Sequence, residues 1–179
     1  MLATPSRTSL GPMTLPLEYI ALAAFSALMA VAAFEDFRRL VIPNALTLAL
    51  CALWPLHLAA APSLAGAFGS LGCALAVFVV GAFLFSRGYL GGGDVKLLSA
   101  AALWAGPAGT PPLLLLTGLL GGALGLLLLM PLGAHLIAMA RLRLGRMPAP
   151  TEGGMATPIP YGIAIAAAAV IVTLSPSFT

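Results

Sequence analysis

Residues Arg87 to Ala108 read RGYLGGGDVKLLSAAALWAGPA, and the fold turns on whether the apolar part of this stretch crosses a bilayer. The chain has 179 residues, 61% of them hydrophobic and only 7% charged, with a mean hydropathy of +1.09. So little charge cannot cover a water-soluble globule, so the sequence describes an integral membrane protein. Apolar runs near the ~20 residues that a crossing needs occupy Leu17 to Phe34, Asn44 to Ala61, Leu64 to Phe85 and Leu113 to Leu132, and a shorter one runs from Ile159 to Leu174. Val95 to Ala108 is short enough to be re-entrant.

Basic residues decide between the two topologies, because cytoplasmic loops of membrane proteins carry the excess Lys and Arg. Arg38 and Arg39 follow the first run, Arg87 and Lys96 flank the glycines, and Arg141, Arg143 and Arg146 follow the fifth run. If Val95 to Ala108 crosses, all seven lie on one side and only Arg7 on the other; a re-entrant segment would put the Arg141 to Arg146 cluster outside. The expectation is an all-α integral membrane protein of six transmembrane helices with both termini extracytoplasmic and three basic loops in the cytoplasm. Orientation then accounts for the net charge of +3, and no nucleic-acid partner is needed.

The chain reads as a polar extracytoplasmic leader, residues 1–16, followed by a single six-helix membrane domain, residues 17–179. The stretch SALMAVAAFED mimics a signal-peptide cleavage site, but the run before it is longer than the usual signal core and is preceded by one basic residue. The only long polar connection, RLRLGRMPAPTEGGMATP, reads as a flexible loop. Cys51 and Cys73 fall within spans with no C-x-x-C pair, so they are expected to be buried, inert thiols, and no metal is expected. His57 and His135 lack ligand-spaced partners and read as packing or interfacial residues. Gly118, Gly121, Gly122 and Gly125 give two G-x-x-x-G spacings, for which packing within the chain is preferred over dimerisation.

Ionisable groups at membrane depth point to function. Of five acids, Glu18 and Glu152 lie where water reaches them, leaving Glu35, Asp36 and Asp94. Asp36 closes the first span and Asp94 opens the fourth, so the topology brings two aspartates to one membrane face. Paired carboxylates share a proton: one can act as base on water while the other donates to a carbonyl. This chemistry needs no metal and no cofactor. Asp94, at a helix start, is expected to be the base, and Asp36, at a helix end beside Glu35, the acid. Gly91, Gly92 and Gly93 would let the loop take conformations closed to other residues and leave room for substrate. The competing readings are that Asp94 is a helix cap on an ordinary glycine turn and that Asp36 is a charged helix end paired with Arg38 or Arg39.

GGGDVKLLSA resembles the G-x-G-D-x-K signature of type IV prepilin peptidases, the GxGD intramembrane aspartic peptidases. DFRRLVIPN is similar to the block around their first catalytic aspartate, and IPYGIAIAAAA to a P-Y-G segment near their C-terminus. The resemblance implies an endopeptidase of the bacterial cytoplasmic membrane that removes the basic leader of a prepilin or pseudopilin at the cytoplasmic face. It implies Asp36 and Asp94 as the catalytic pair, Gly91 and Gly93 as fixed loop positions, and Lys96, Pro43, Asn44 and Tyr161 as candidate supporting residues. The chain resembles the short branch serving Tad/Flp-type pili, which lacks the cysteine-rich insertion of longer members, so N-methyltransferase activity is not expected. A proton-coupled transporter component and a non-catalytic pilus or secretion assembly subunit are the alternatives.

Overall fold

A computed structural model describes residues 14–60, 63–143 and 159–175. Six helices follow in order: α1 (Thr14–Arg39), α2 (Asn44–Ala60), α3 (Leu64–Ser86), α4 (Gly92–Leu129), α5 (Pro131–Arg143) and α6 (Tyr161–Leu174). The described residues contain no strand. Three helical segments are long and apolar enough to cross a membrane, Leu17–Arg39, Leu64–Ser86 and Gly92–Leu129. Helices are the form such a chain must take, because in hydrocarbon every backbone N–H and C=O has to be satisfied within its own segment.

α4 departs most from the expected spans. It joins the fourth and fifth runs in 38 residues, broken at Gly106, whose φ of 64° and ψ of −171° are non-helical. Contacts on either side of the break run in opposite senses. As far as the break, Val95 lies against Gly81 of α3 and Gly106 itself against Ser70, so the first limb is antiparallel to α3. After it, Gly109 meets Val172, Gly121 meets Tyr161 and Ala164, and Gly125 meets Ile159, so the second limb is antiparallel to α6. The chain therefore doubles back at Gly106, within the expected run Val95 to Ala108. Only glycine takes that backbone conformation readily.

Two other boundaries differ. α1 starts at Thr14, so the last three residues expected in the leader are helical, and residues 1–13 lie outside the described residues. The polar connection expected from Arg141 is helical as far as Arg143, as the end of α5; residues 144–158, with Arg146 and Glu152, lie outside the description.

Lipid is as apolar as leucine, so close approach and internal hydrogen bonds, rather than water exclusion, hold such helices together. The centre is filled by Phe25 and Met29 of α1, Leu50 of α2, Leu97 and Leu113 of α4, and Ile165 and Val172 of α6, all fully buried. Ala166, Ala168 and Ala169 let α6 run through the middle of the bundle. Trp104 ties α4 to α2: its Nε1–H donates to the Leu50 carbonyl at 3.0 Å, and its ring stacks on His57 and packs against Phe25. His57 is thus a packing residue, as expected, and His135 is exposed. The outer surface carries Phe68, Leu64, Leu115 and Leu126, all strongly exposed, as a lipid-facing surface requires.

The glycine row of α4 divides by direction. Gly121 and Gly125 face α6, whereas a Cβ on Gly118 or Gly122 would meet nothing within 4 Å. Packing within the chain explains the first pair only. The cysteines also differ from expectation: Cys51 is exposed and Cys73 half-buried, because α2 and α3 make little contact with one another and leave Cys51 on an open face.

Candidate active site

Three helix ends meet at one end of the bundle. α1 finishes there with Asp36, whose carbonyl accepts from Leu40 N–H at 2.8 Å. α4 begins there with Gly91 as its flanking residue and Asp94 in its first turn. α6 begins there with Tyr161 and Gly162. Asp36 and Asp94 are both buried, at 5% and 9% exposure, and both line one cleft of about 220 Å³ with Leu40, Ile42, Asn44, Gly91 and Lys96. Two carboxylates 58 positions apart in sequence thus share one cavity.

Their partners are backbone amides. Gly162 N–H donates to Asp36 Oδ2 at 2.7 Å, so the positive end of the α6 dipole points at this carboxylate. The Asp94 carboxylate turns back onto the backbone of Gly91, as an acidic residue in the third position of a helix does in a capping box. It therefore completes the start of α4 while facing the cleft. The expected acid and base roles rest on the end of α1 and the start of α4, with Tyr161 of the P-Y-G stretch only a supporting candidate. The third helix end, α6, is what changes the surroundings of Asp36. Arg39, meanwhile, pairs with Glu35 at 3.0 Å, a contact along one turn of α1 that faces away from this arrangement.

The glycines are required for space, not for unusual dihedrals. Among described residues only Gly88, Gly106 and Leu40 have positive φ, and Gly91 sits at φ −74° and ψ 143°, which any residue can adopt. A Cβ on Gly91, however, would stand 2.7 Å from Asp94 Oδ2, and one on Gly93 would stand 3.2 Å from the Ile42 side chain. The expected need for conformational freedom is thus replaced by a need for close approach. Gly162 is nearly as close, since its Cβ would fall 2.8 Å from Asp36 Cβ and Oδ2.

The supporting candidates divide. Lys96 Nζ donates to Asn44 Oδ1 at 2.9 Å, which links the starts of α2 and α4 across the mouth of the cleft. Pro43 precedes α2, its carbonyl accepting from Leu46 N–H at 3.1 Å, and it is not among the residues lining the cleft. Tyr161 packs its ring against Gly121 of α4, seating α6, while its neighbour Gly162 makes the contact with Asp36. The P-Y-G stretch carried that signal, but the eye falls on the tyrosine because its side chain has chemistry. Leu40 and Ile42 were also missed. Leu40 has a φ of 55°, a strained value for a branched residue, and turns the chain from α1 into the cleft wall. Among the described residues no cluster of His, Cys, Asp and Glu could hold a metal ion.

A model of the type IV leader peptidase family matches residues 23–126, more than half of the chain, and the chain belongs to that family. The matched region takes in Asp36, the glycine loop and Asp94, and ends before α6. No curated protein and no solved structure matches the chain. Family and helices together make this a peptidase with apolar, membrane-length helices.

Proposed function

We propose that the chain is an intramembrane aspartic endopeptidase that cleaves the basic leader of a type IV prepilin or pseudopilin at the cytoplasmic face of the bacterial inner membrane, with Asp36 and Asp94 as its catalytic pair. The observation carrying this reading is the one cleft that both buried carboxylates line. Two buried carboxylates facing one cleft favour a state in which one proton is shared. The Gly162 N–H stabilises charge on Asp36, so Asp36 takes the role of base and Asp94 that of acid, the reverse of the assignment drawn from α1 and α4 alone. Asp36 removes a proton from water as the water oxygen bonds to the scissile carbonyl carbon, and Asp94 gives its proton to the carbonyl oxygen. The proton on Asp36 then passes to the amide nitrogen as the C–N bond breaks, and the collapsing diol returns a proton to Asp94.

In this reading the two limbs of α4 are separate crossings, which gives six spans, both termini outside, and Arg38, Arg87 and Arg143 in the cytoplasm, within a single membrane domain. Both aspartates lie at helix ends, whereas a proton relay would place its carboxylates near mid-bilayer. Gly91 and Gly93 shape the cleft, Lys96 and Asn44 brace its mouth, and Pro43 and Tyr161 seat α2 and α6.

The test is processing of a co-expressed or purified prepilin, read by N-terminal sequencing. Asp36→Asn and Asp94→Asn are each expected to lower turnover by roughly 10²–10⁴-fold, with unchanged thermal stability and a bell-shaped pH–rate profile in the parent enzyme. Substantial turnover by either variant would sink the dyad.

A further inference from the structure

Between the end of α1 and the start of α2 the chain runs through Leu40, Val41, Ile42 and Pro43 without helix, and the first three of these line the same cleft as Asp36 and Asp94. Both ends of the segment are tied down. Leu40 N–H donates to the Asp36 carbonyl at 2.8 Å, and the Pro43 carbonyl accepts from Leu46 N–H at 3.1 Å. Between those bonds, the Leu40 carbonyl and both backbone groups of Val41 and Ile42 have no hydrogen-bond partner among the described residues. The other residues of the cleft wall sit in helices or, like Gly91, flank one.

The segment has the character of a short strand. A residue before proline is pushed out of the helical region into an extended one, which constrains Ile42. Leu40, at φ 55°, sets the direction in which the chain leaves α1. Burial then alternates: Ile42 is buried, with its Cβ 3.2 Å from where Gly93 would carry a methyl, and Val41 is 62% exposed. That is the side-chain period of a strand laid with one face on α4. The N–H and C=O of one strand residue bond on the same edge, so Val41 offers a donor and an acceptor together in the cleft.

A peptide bond inside a helix cannot be cut as it stands. Its carbonyl is bonded to the N–H four residues on, and the turns around it crowd the path of an attacking water. The substrate must therefore open beside its scissile bond, and opening frees backbone groups that need new partners at the edge of a bilayer. Lipid tails cannot supply them, whereas an unpaired strand edge can. We infer that residues 40–42 are the docking strand for the substrate: the residues beside the scissile bond lie extended along it and exchange N–H···O bonds with Val41. This inference rests on the proposed leader-peptidase function and adds the conformation in which the substrate meets the dyad.

Spacing distinguishes a strand from a helix. The probe is a prepilin with one cysteine, placed in turn at each residue flanking the scissile bond. It is co-expressed in membranes with the full chain carrying Val41→Cys, Cys51→Ser and Cys73→Ser, with Asp94→Asn to stall cleavage. Copper–phenanthroline oxidation is expected to link the introduced thiol to probe positions two apart and to leave those between unlinked. Adducts three and four apart would mean that the substrate stays helical at the dyad, and adducts at every position or at none would mean that it does not lie along the segment; each of these overturns the inference. A second measurement uses the unaltered chain, so it holds whether or not the substituted one folds. N-methylation of a synthetic prepilin peptide, one amide at a time and sparing the scissile one, is expected to raise KM on the order of tenfold at alternate residues and little at those between.

The outcomes separate the two layers. If the parent enzyme leaves the prepilin uncut by N-terminal sequencing, the proposed function fails and this inference with it. If the prepilin is cut but the adducts or the KM values show no alternation, the proposed function stands and the docking strand is overturned.

Discussion

The dyad end of the bundle and the bend at the far end of α4 both depend on glycine, for opposite reasons. At the bend, Gly106 has a backbone conformation that side chains do not tolerate, at φ 64° and ψ −171°, while the space beside it is nearly adequate: a Cβ would meet only Ser70 Oγ, at 3.2 Å. At the dyad, Gly91 has an ordinary backbone, and Gly162 is an ordinary first-turn residue of α6, yet a Cβ on either would stand within 2.8 Å of a carboxylate oxygen. One glycine sets the path of the chain and the others set how near a helix end can come to an acid. The first kind belongs to folding and, in the proposed mechanism, the second to the reaction, so substitution at the two ends should separate stability from activity.

The largest effect is expected from Gly162→Ala. The added methyl must push Asp36 aside or break the amide contact made at 2.7 Å, and displacing a member of the proposed catalytic pair by about 1 Å is expected to cost on the order of 10²-fold in rate. Steady-state cleavage of a prepilin peptide by the purified variant measures this. Melting temperature should change little, since the clash falls on one side chain beside an open cleft. Gly91→Ala should follow the same pattern through Asp94. Activity at the parent level in both variants would mean that close approach to the carboxylates is incidental.

Gly106→Ala should do the reverse. Forcing alanine into a region that is essentially glycine-only costs about 1–3 kcal/mol, which a denaturation series in detergent would register, while the fraction that folds should turn over normally. Were this variant fully stable yet slow, the bend would have to be coupled to the dyad, and the division between the two ends would collapse.

This division also explains what could be read from the sequence. The helical nature of the apolar runs, the meeting of Asp36 with Asp94 at one cleft and the glycine loop before Asp94 were legible, because hydropathy and acid scarcity are properties of residues in order, whereas α5 was not expected as a helix. The role of Gly162 was not, since it arises from a contact across 126 positions, and an amide has no signature in the sequence. The reason for Gly91 was misjudged for a related cause: glycine records that something is required without recording whether it is a dihedral or a distance. The exposure of Cys51 was missed because apolar runs do not say which neighbouring helices fail to touch.

The smallest expected effect concerns the glycines that satisfy neither requirement. Gly118 and Gly122 lie within the second limb of α4, not among the positive-φ residues, and a Cβ on either would meet nothing within 4 Å. Glycine in a helix interior loses backbone entropy on folding and gives no packing in return, so alanine there is favourable by roughly 0.5–1 kcal/mol. Gly118→Ala and Gly122→Ala should therefore each stabilise the protein slightly and leave cleavage unchanged. Gly121→Ala, one residue away, should destabilise it, because its methyl would stand 3.0 Å from the Tyr161 ring and lift α6 from α4. Melting curves of the three variants in one detergent give the comparison directly. A stability gain at Gly118 and Gly122 with a loss at Gly121 would show that the row has one working face, turned toward α6. A loss at all three would mean that the outward pair also has a contact to keep, and that the second limb of α4 is more tightly enclosed in the membrane than the bundle alone requires.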